Sequence, residues 1–272
     1  MNPAYREYLS TAERVARAAG QMLREAQPQP HRVEYKGAIN LVTEMDRKSE
    51  AFIVHEITSA FADHAIVAEE GSNRAATSEY RWYIDPLDGT TNYTHGLPIF
   101  CVSLGLERAG ELICGAVYDP CQDEMFSTLA GGSAFLNGKP IHVSTQSELA
   151  KSLLVTGFPY DIRETTVDNL DNFAAFAKHA RAVRRLGSAA LDLCWTACGR
   201  FDGFWELKLA PWDLAAGALL VREAGGLVTD FDGSPFDLHT GRVLASNGRI
   251  HQAMQAMLTD TGAPPRPRRA VE

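Results

Sequence analysis

The chain reads as a mixed α/β protein with layered sheets. Three observations predict this. The middle of the chain carries apolar or alternating runs at 81–85, 99–107, 112–118 and 124–129, the pattern of strands. The second half alternates short apolar runs with segments of helical period. Two helical patterns precede both. A chain of 272 residues, 45% hydrophobic and 22% charged, is long enough to bury a large core between such layers.

The elements follow in order. Residues 4–26 place Tyr8, Leu9, Ala12, Val15, Ala16, Ala19, Met22 and Leu23 on one helical face, and Gln27-Pro28-Gln29-Pro30 ends that helix. Lys36-Gly37-Ala38 reads as a mobile loop. Thr43 is the expected N-cap of a second helix reaching about residue 62, with Asp46 at the N3 position of a capping box. Ala65-Ile66-Val67-Ala68 reads as a buried strand ending in Glu69-Glu70. Arg108-Ala109-Gly110 signals a hairpin between 99–107 and 112–118, and Asn137-Gly138 another tight turn.

In the second half, strands are expected at 152–156, 182–186, 201–207, 227–230 and 243–245. Helices are expected at 164–179, 188 to about 199, 212–224 and 248–258. No internal repeat is visible. Residues 1–260 read as one domain. Residues 261–272, with Pro264, Pro265, Pro267 and three arginines, read as a disordered tail.

Composition narrows the function. A net charge of −8 argues against a general nucleic-acid binder. No apolar run approaches the length of a membrane span, and the first residues show no signal-peptide pattern. Five irregularly spaced cysteines read as reduced thiols of a cytoplasmic protein. Cys194 and Cys198, four apart on an expected helix, have no neighbouring histidine or second pair and read as core residues.

The run Trp82-Tyr83-Ile84-Asp85-Pro86-Leu87-Asp88-Gly89-Thr90-Thr91-Asn92 carries the chemistry. Two carboxylates three residues apart repel unless a cation stands between them. With the Thr90 and Thr91 hydroxyls and backbone carbonyls freed by a bend, they form a hard-oxygen donor set suited to magnesium. By itself the run is also a polar β-turn. Glu69-Glu70 supplies a second acidic element, or a solvated charge pair. Asp213 opens a helix whose apolar residues recur at 214, 215, 218, 219 and 221, with Gly225 beyond its end. It is either a ligand or a complement to the helix dipole.

Residues 85–91 and 212–226, in this order, resemble the inositol monophosphatases of the lithium-sensitive, magnesium-dependent phosphatase superfamily. Glu69-Glu70 falls where that family has its acidic pair, and the resemblance covers roughly residues 5–258. It implies a layered α-β-α-β-α sandwich of the inositol monophosphatase/fructose-1,6-bisphosphatase type. It also implies two or three Mg²⁺ per subunit, a homodimer, and hydrolysis of a small phosphorylated polyol by in-line attack of a metal-activated water.

By resemblance, Glu69, Asp85, the Leu87 carbonyl, Asp88 and Asp213 ligate metal. Glu69, Thr90 and Asp46 orient and deprotonate the attacking water. Gly89 and Thr90 face the phosphate. Asp88, Gly187, Ser188, Ala189 and Glu206 face the inositol ring. Lys36 matches a loop lysine near the metals. His95 reads as structural. Lys208 is a departure, because the family often has glycine two residues after the glutamate matched by Glu206; a long cation there would favour a second anionic group on the substrate. Four carboxylates around a phosphate ester demand a cation, since like charges about 4 Å apart cost roughly 4 kcal/mol at an effective dielectric near 20. The alternatives are a sugar-bisphosphate or histidinol-phosphate phosphatase, or a protein- or RNA-binding regulator on the same fold.

Overall fold

The computed structural model describes residues 3–29, 33–35 and 41–260. The expectations for Lys36-Gly37-Ala38 and for the 261–272 tail lie outside the described residues. Helices α1 (Pro3–Ala26) and α2 (Glu44–Ala60) cover one face of a seven-stranded sheet. Its strands are β3 (Ala65–Ala68), β4 (Tyr80–Asp88), β5 (Cys101–Arg108), β6 (Glu111–Asp119), β7 (Glu124–Leu129), β8 (Ala134–Leu136) and β9 (Lys139–Ile141), in that spatial order. Only β3 and β4 run parallel; the rest form an antiparallel meander. The Arg108-Ala109-Gly110 and Asn137-Gly138 hairpins stand where the sequence predicts them, with Ala109, Gly110, Asn137 and Gly138 all at positive φ. The pair β1 (Val33–Tyr35) and β2 (Leu41–Thr43) forms a separate antiparallel ribbon that no sequence pattern announced.

Against the opposite face of the seven-stranded sheet lie α5 (Ala189–Ala197) and α6 (Pro211–Glu223). Both helices are nearly all apolar and buried, as a layer sandwiched between two sheets must be. Their other side meets a five-stranded sheet of β10 (Leu153–Thr156), β11 (Ala182–Arg184), β12 (Gly203–Glu206), β13 (Leu227–Thr229) and β14 (Val243–Ser246), ordered β11-β10-β12-β14-β13. Helices α4 (Leu170–His179) and α7 (His251–Asp260) cover its outer face. The layers therefore run α-β-α-β-α. Three apolar clusters fill the gaps. One holds Leu23, Ile53 and Trp82, the next Tyr83, Leu193 and Leu220, and the third Phe176, Trp205 and Leu258.

Two helices start later than the sequence predicts. The expected helix over 164–179 begins only at Leu170, because buried Asn169 adopts φ 72°. Its amide donates to Thr156 Oγ1 at 2.9 Å and to the Gly157 carbonyl at 2.7 Å, and accepts from Trp205 Nε1 at 2.9 Å. Those tertiary bonds outweigh the local helical pattern. The final helix starts at His251, after Asn247 Oδ1 accepts from the Arg249 and Ile250 amides at 3.0 and 3.2 Å.

Candidate active site

Side chains alternate along β4. Trp82 and Ile84 enter the core under α1 and α2, and Tyr83 enters the core under α5 and α6. A period of two therefore sends Asp85 toward α6. The sequence suggests that the strand stops there in a turn; instead β4 continues to Asp88 through a bulge. Pairing runs from Asp85 opposite Ser103 to Asp88 opposite Cys101, so three steps along β4 match two along β5. Pro86 has no N–H to give a ladder, and Asp85 Oδ1 accepts from the Leu87 amide at 3.0 Å. Ser49 of α2 donates to the Pro86 carbonyl at 2.8 Å.

Gly89 ends the bulge at φ 99°, and a Cβ there would approach the Ile99 carbonyl to 2.8 Å. Both facts require glycine. It opens the short helix α3 (Thr90–Thr94), which the sequence pattern missed. Thr90 Oγ1 lies 2.9 Å from Asp46 Oδ1 and 3.1 Å from the Leu87 carbonyl. Asp46 does two jobs with two oxygens. Its Oδ2 accepts from Thr43 N at 2.8 Å and Thr43 Oγ1 at 2.6 Å, closing the capping box of α2, while Oδ1 holds Thr90.

Of the remaining acids, Asp88 ends β4, and Glu69 and Asp213 come from two other segments. Glu69 follows β3, and its amide donates to the Ile84 carbonyl at 3.2 Å. Buried Glu50 fixes the loop behind it, accepting from the Glu70 and Ser72 amides at 2.7 and 2.9 Å. Asp88 Oδ2 accepts from Ser188 Oγ and from the Ala190 amide, both at 2.7 Å. Ser188 and the start of α5 thus anchor Asp88 across the sheet gap. Asp213 lies in the first turn of α6, where its Oδ2 accepts from the Ala210 amide at 2.7 Å. Ala210 has no side-chain acceptor, so this is half of a capping box.

These residues line one cleft. A cavity of about 160 Å³ is bordered by Glu69, Asp85, Leu87, Asp88, Gly89, Thr90 and Asp213, among others. A second, of about 90 Å³, shares Asp88 and Asp213 and adds Gly187, Ser188, Ala189 and Glu206. Every site residue the sequence predicts borders one of the two, except Asp46, which reaches the cleft through Thr90. Lys208 borders both, yet its ammonium is engaged outward, 2.6 Å from Asp161 Oδ2 and 3.0 Å from Thr165 Oγ1. That pairing weakens the idea of a second-anion site there. A larger opening of about 1160 Å³, beside the β5–β6 hairpin and residues 235–240, contains none of the predicted residues.

The electrostatics call for a cation. Burial pushes the Asp85 carboxyl well above its usual range, and the charges of Glu69, Asp88 and Asp213 push it further. Asp213 is raised the same way, by burial, then Asp88, then Glu69. Asp88 is also raised by burial, against which Ser188 and the α5 amides act. The donors are carboxylates, hydroxyls and a carbonyl, the set that binds magnesium. Among the described residues no three acidic, histidine or cysteine side chains are drawn together tightly enough to hold an ion as they stand.

Known proteins share this fold and much of this sequence. The model of the inositol monophosphatase family matches residues 4–261. The chain belongs to the inositol monophosphatase family. It is 46% identical over 256 residues to an inositol-1-monophosphatase of Synechocystis, covering 93% of this chain and 89% of that one. It is 43% identical over 255 residues to the Nus factor SuhB of Pseudomonas aeruginosa, covering 90% and 93%. The solved inositol monophosphatase of Anabaena superposes with a TM-score of 0.87 at 46% identity, over 94% of this chain and 96% of that one. Family members are phosphoric monoester hydrolases.

Sequence reasoning missed Glu50 and Asn92. Glu50 shares the buried face of α2 with Met45, Asp46, Ser49, Ile53 and Ile57, and an acid at that helical spacing was its signal. Asn92 donates to the Ile99 and Leu186 carbonyls, both at 2.8 Å, and joins α3 to the strand-to-helix turn before α5. It ends the 82–92 run, but the pattern there assigns it no role.

Proposed function

We propose that the protein hydrolyses a polyol phosphate monoester, myo-inositol monophosphate foremost, with magnesium as its cofactor. One observation carries this reading. The acid-rich cavity of Glu69, Asp85 and Asp213 shares Asp88 and Asp213 with a second cavity bordered by the buried carboxyl of Glu206. The first fits a phosphate with its counter-ions and the second an alcohol rich in hydroxyls.

Glu69, Asp85, Asp88, Asp213 and the Leu87 carbonyl would hold two or three Mg²⁺. Bound there, the cations supply charge neutralisation for phosphate and leaving oxygen and acidify water. The chain's own residues do the positioning that in-line phosphoryl transfer depends on. With its proton on Asp46 Oδ1, Thr90 Oγ1 turns lone pairs to the cavity and accepts from the attacking water. Glu69 takes that water's proton. Asp88, held by Ser188 and α5, stands between phosphate and alcohol. Glu206 accepts from ring hydroxyls and so fixes which ester enters.

Five free cysteines suit a reducing compartment, and no described helix is long and apolar enough to cross a membrane. We expect a cytoplasmic homodimer. Phosphate release from a panel of esters, with Mg²⁺ and with chelator, tests the reading. Turnover should be fastest on inositol monophosphates, vanish in chelator and fall with lithium. Full turnover in chelator would sink the metal reading. Faster release from fructose 1,6-bisphosphate or histidinol phosphate would move the substrate. No turnover on any ester would favour the regulatory role suggested by the SuhB-named relative.

A further inference from the structure

Asp192, on α5, takes no part in the phosphate chemistry above. It is 1% exposed and borders the same cavity as Glu206. Its Oδ1 has no hydrogen-bond partner. Trp195 Nε1 and Ser234 Oγ are buried in the same condition, but of the three only Asp192 borders the cleft. Nor is Asp192 the cap of its helix, because Ser188 Oγ accepts from the Leu191 amide at 3.4 Å.

We propose that Asp192 is a specificity residue that binds a second hydroxyl of the alcohol, beside the one bound by Glu206, so that the site selects polyols with two neighbouring hydroxyls. The inference rests on the phosphatase reading and names the substrate feature that reading leaves open. A buried polar atom without a partner is uncommon in folded proteins, and the residue that carries this one borders the substrate cavity. The chemistry of the missing partner is restricted. An anionic group would meet Asp88, Asp192 and Glu206 around one small cavity. Arg185, also at its border, is the countercharge that already acts on both Asp192 and Glu206. An apolar group would leave Oδ1 unsatisfied. A hydroxyl both donates and accepts, so it satisfies a carboxyl in either protonation state. Gly157 preserves the space, since a Cβ there would overlap the Glu206 carboxyl.

The test compares kcat/KM for myo-inositol 1-phosphate and p-nitrophenyl phosphate in the Mg²⁺-loaded wild type, Asp192→Ala and Asp192→Asn. It also reads inhibition of p-nitrophenyl phosphate hydrolysis by free myo-inositol. One hydrogen bond to a charged group is worth about 10- to 100-fold. Asp192→Ala should lower the inositol-to-aryl ratio by that factor, mainly through KM, and weaken myo-inositol inhibition in parallel. Asp192→Asn, which keeps an acceptor and a donor, should retain a larger share of the ratio. An unchanged ratio in Asp192→Ala, or equal losses on both substrates, overturns the inference while leaving the phosphatase reading intact. A wild type with no preference for inositol phosphate overturns that reading and the inference with it. If Asp192→Ala does not fold, Asp192→Leu fills the same volume without polarity and takes its place. Failure of both to fold would make Asp192 structural and end the proposal.

Discussion

The two ends of the cleft are built differently. At the phosphate end each of Asp85, Asp88, Asp213 and Asp46 accepts a backbone amide, from Leu87, Ala190, Ala210 and Thr43 respectively. Those bonds fix the carboxylates before any ligand arrives. At the alcohol end Asp192 has an oxygen with no partner, and the Glu206 carboxyl lies where a Cβ on Gly157 would overlap it. Under the proposed function the first end would bind one invariant group, for which fixed carboxylates are preorganised. The second would read a variable group, and the ligand would complete its polar atoms.

Breaking the phosphate end should have the largest effect and spare no substrate. Asp85→Asn removes a charge from the centre of the carboxylate set while keeping its shape. Turnover should fall on the order of a thousandfold or more on inositol and aryl phosphates alike. Steady-state kinetics at saturating Mg²⁺ checks this, and near-normal kcat would overturn the site assignment. Breaking the alcohol end should be selective. Glu206→Ala loses hydrogen bonds to hydroxyls, which should cost about 2–4 kcal/mol of transition-state binding for inositol phosphates, on the order of 30- to 1000-fold in kcat/KM. The loss on p-nitrophenyl phosphate should be much smaller. Equal losses would place Glu206 in metal support.

The same contrast explains what the sequence reveals. Much of the phosphate end is compressed into residues 85–91, where carboxylates and hydroxyls at fixed spacing make the expected ligands legible without a fold, although Glu69, Asp46 and Asp213 are drawn in from other segments. The layers are legible too, because periods of two and 3.6 survive in the apolar residues of β4–β7 and of α1. The alcohol end draws on Gly157, Arg185, Asp192, Glu206 and Lys208, five positions spread over four segments. Glu206 is found only by resemblance. Asp192 looks like an acid placed for a helix dipole, and only burial with an unfilled oxygen distinguishes it. Glu50 and Asn169 escape notice for the same reason: their bonds are tertiary.

Titration sharpens the comparison in the metal-free protein. Burial pushes Glu206 from an ordinary 4.5 up to about 8. A carboxyl raised on folding contributes its stability fully below its unfolded value and loses it as pH rises through the folded value. Asp85 and Asp213 are raised in the same direction. Calorimetric Tm in chelator should therefore fall between about pH 5 and pH 8. Mg²⁺ should restore it at pH 8 by offsetting the phosphate-end carboxylates. Glu206→Gln should flatten only the part of the slope that metal leaves. A metal-free Tm that climbs over this range would contradict the burial of these groups as neutral acids.

The smallest effect is expected at Lys208, where the alcohol end meets solvent. Its φ is 61°, a left-handed conformation that costs a side-chain-bearing residue about 1 kcal/mol. This accounts physically for the glycine expected there by resemblance. The lysine is retained against that strain by its pair with Asp161 and its bond to Thr165, which tie residues 161–165 to the rim of the cleft. Both partners of the pair are partly exposed, 34% and 47%, so the pair contributes only about 0–1 kcal/mol. Strain relief and lost pairing should nearly cancel in Lys208→Gly, leaving Tm within a few degrees and KM for inositol phosphate within about threefold. Lys208→Ala keeps the strain and loses the pair, so it should melt below Lys208→Gly. Asp161→Asn loses the pair and keeps the strain, and should match Lys208→Ala. If Lys208→Gly instead melted well below Lys208→Ala, the left-handed backbone would not be the cost that the pair offsets. If its KM rose more than tenfold, the lysine would reach the substrate after all, and the alcohol end would recognise charge as well as hydroxyls.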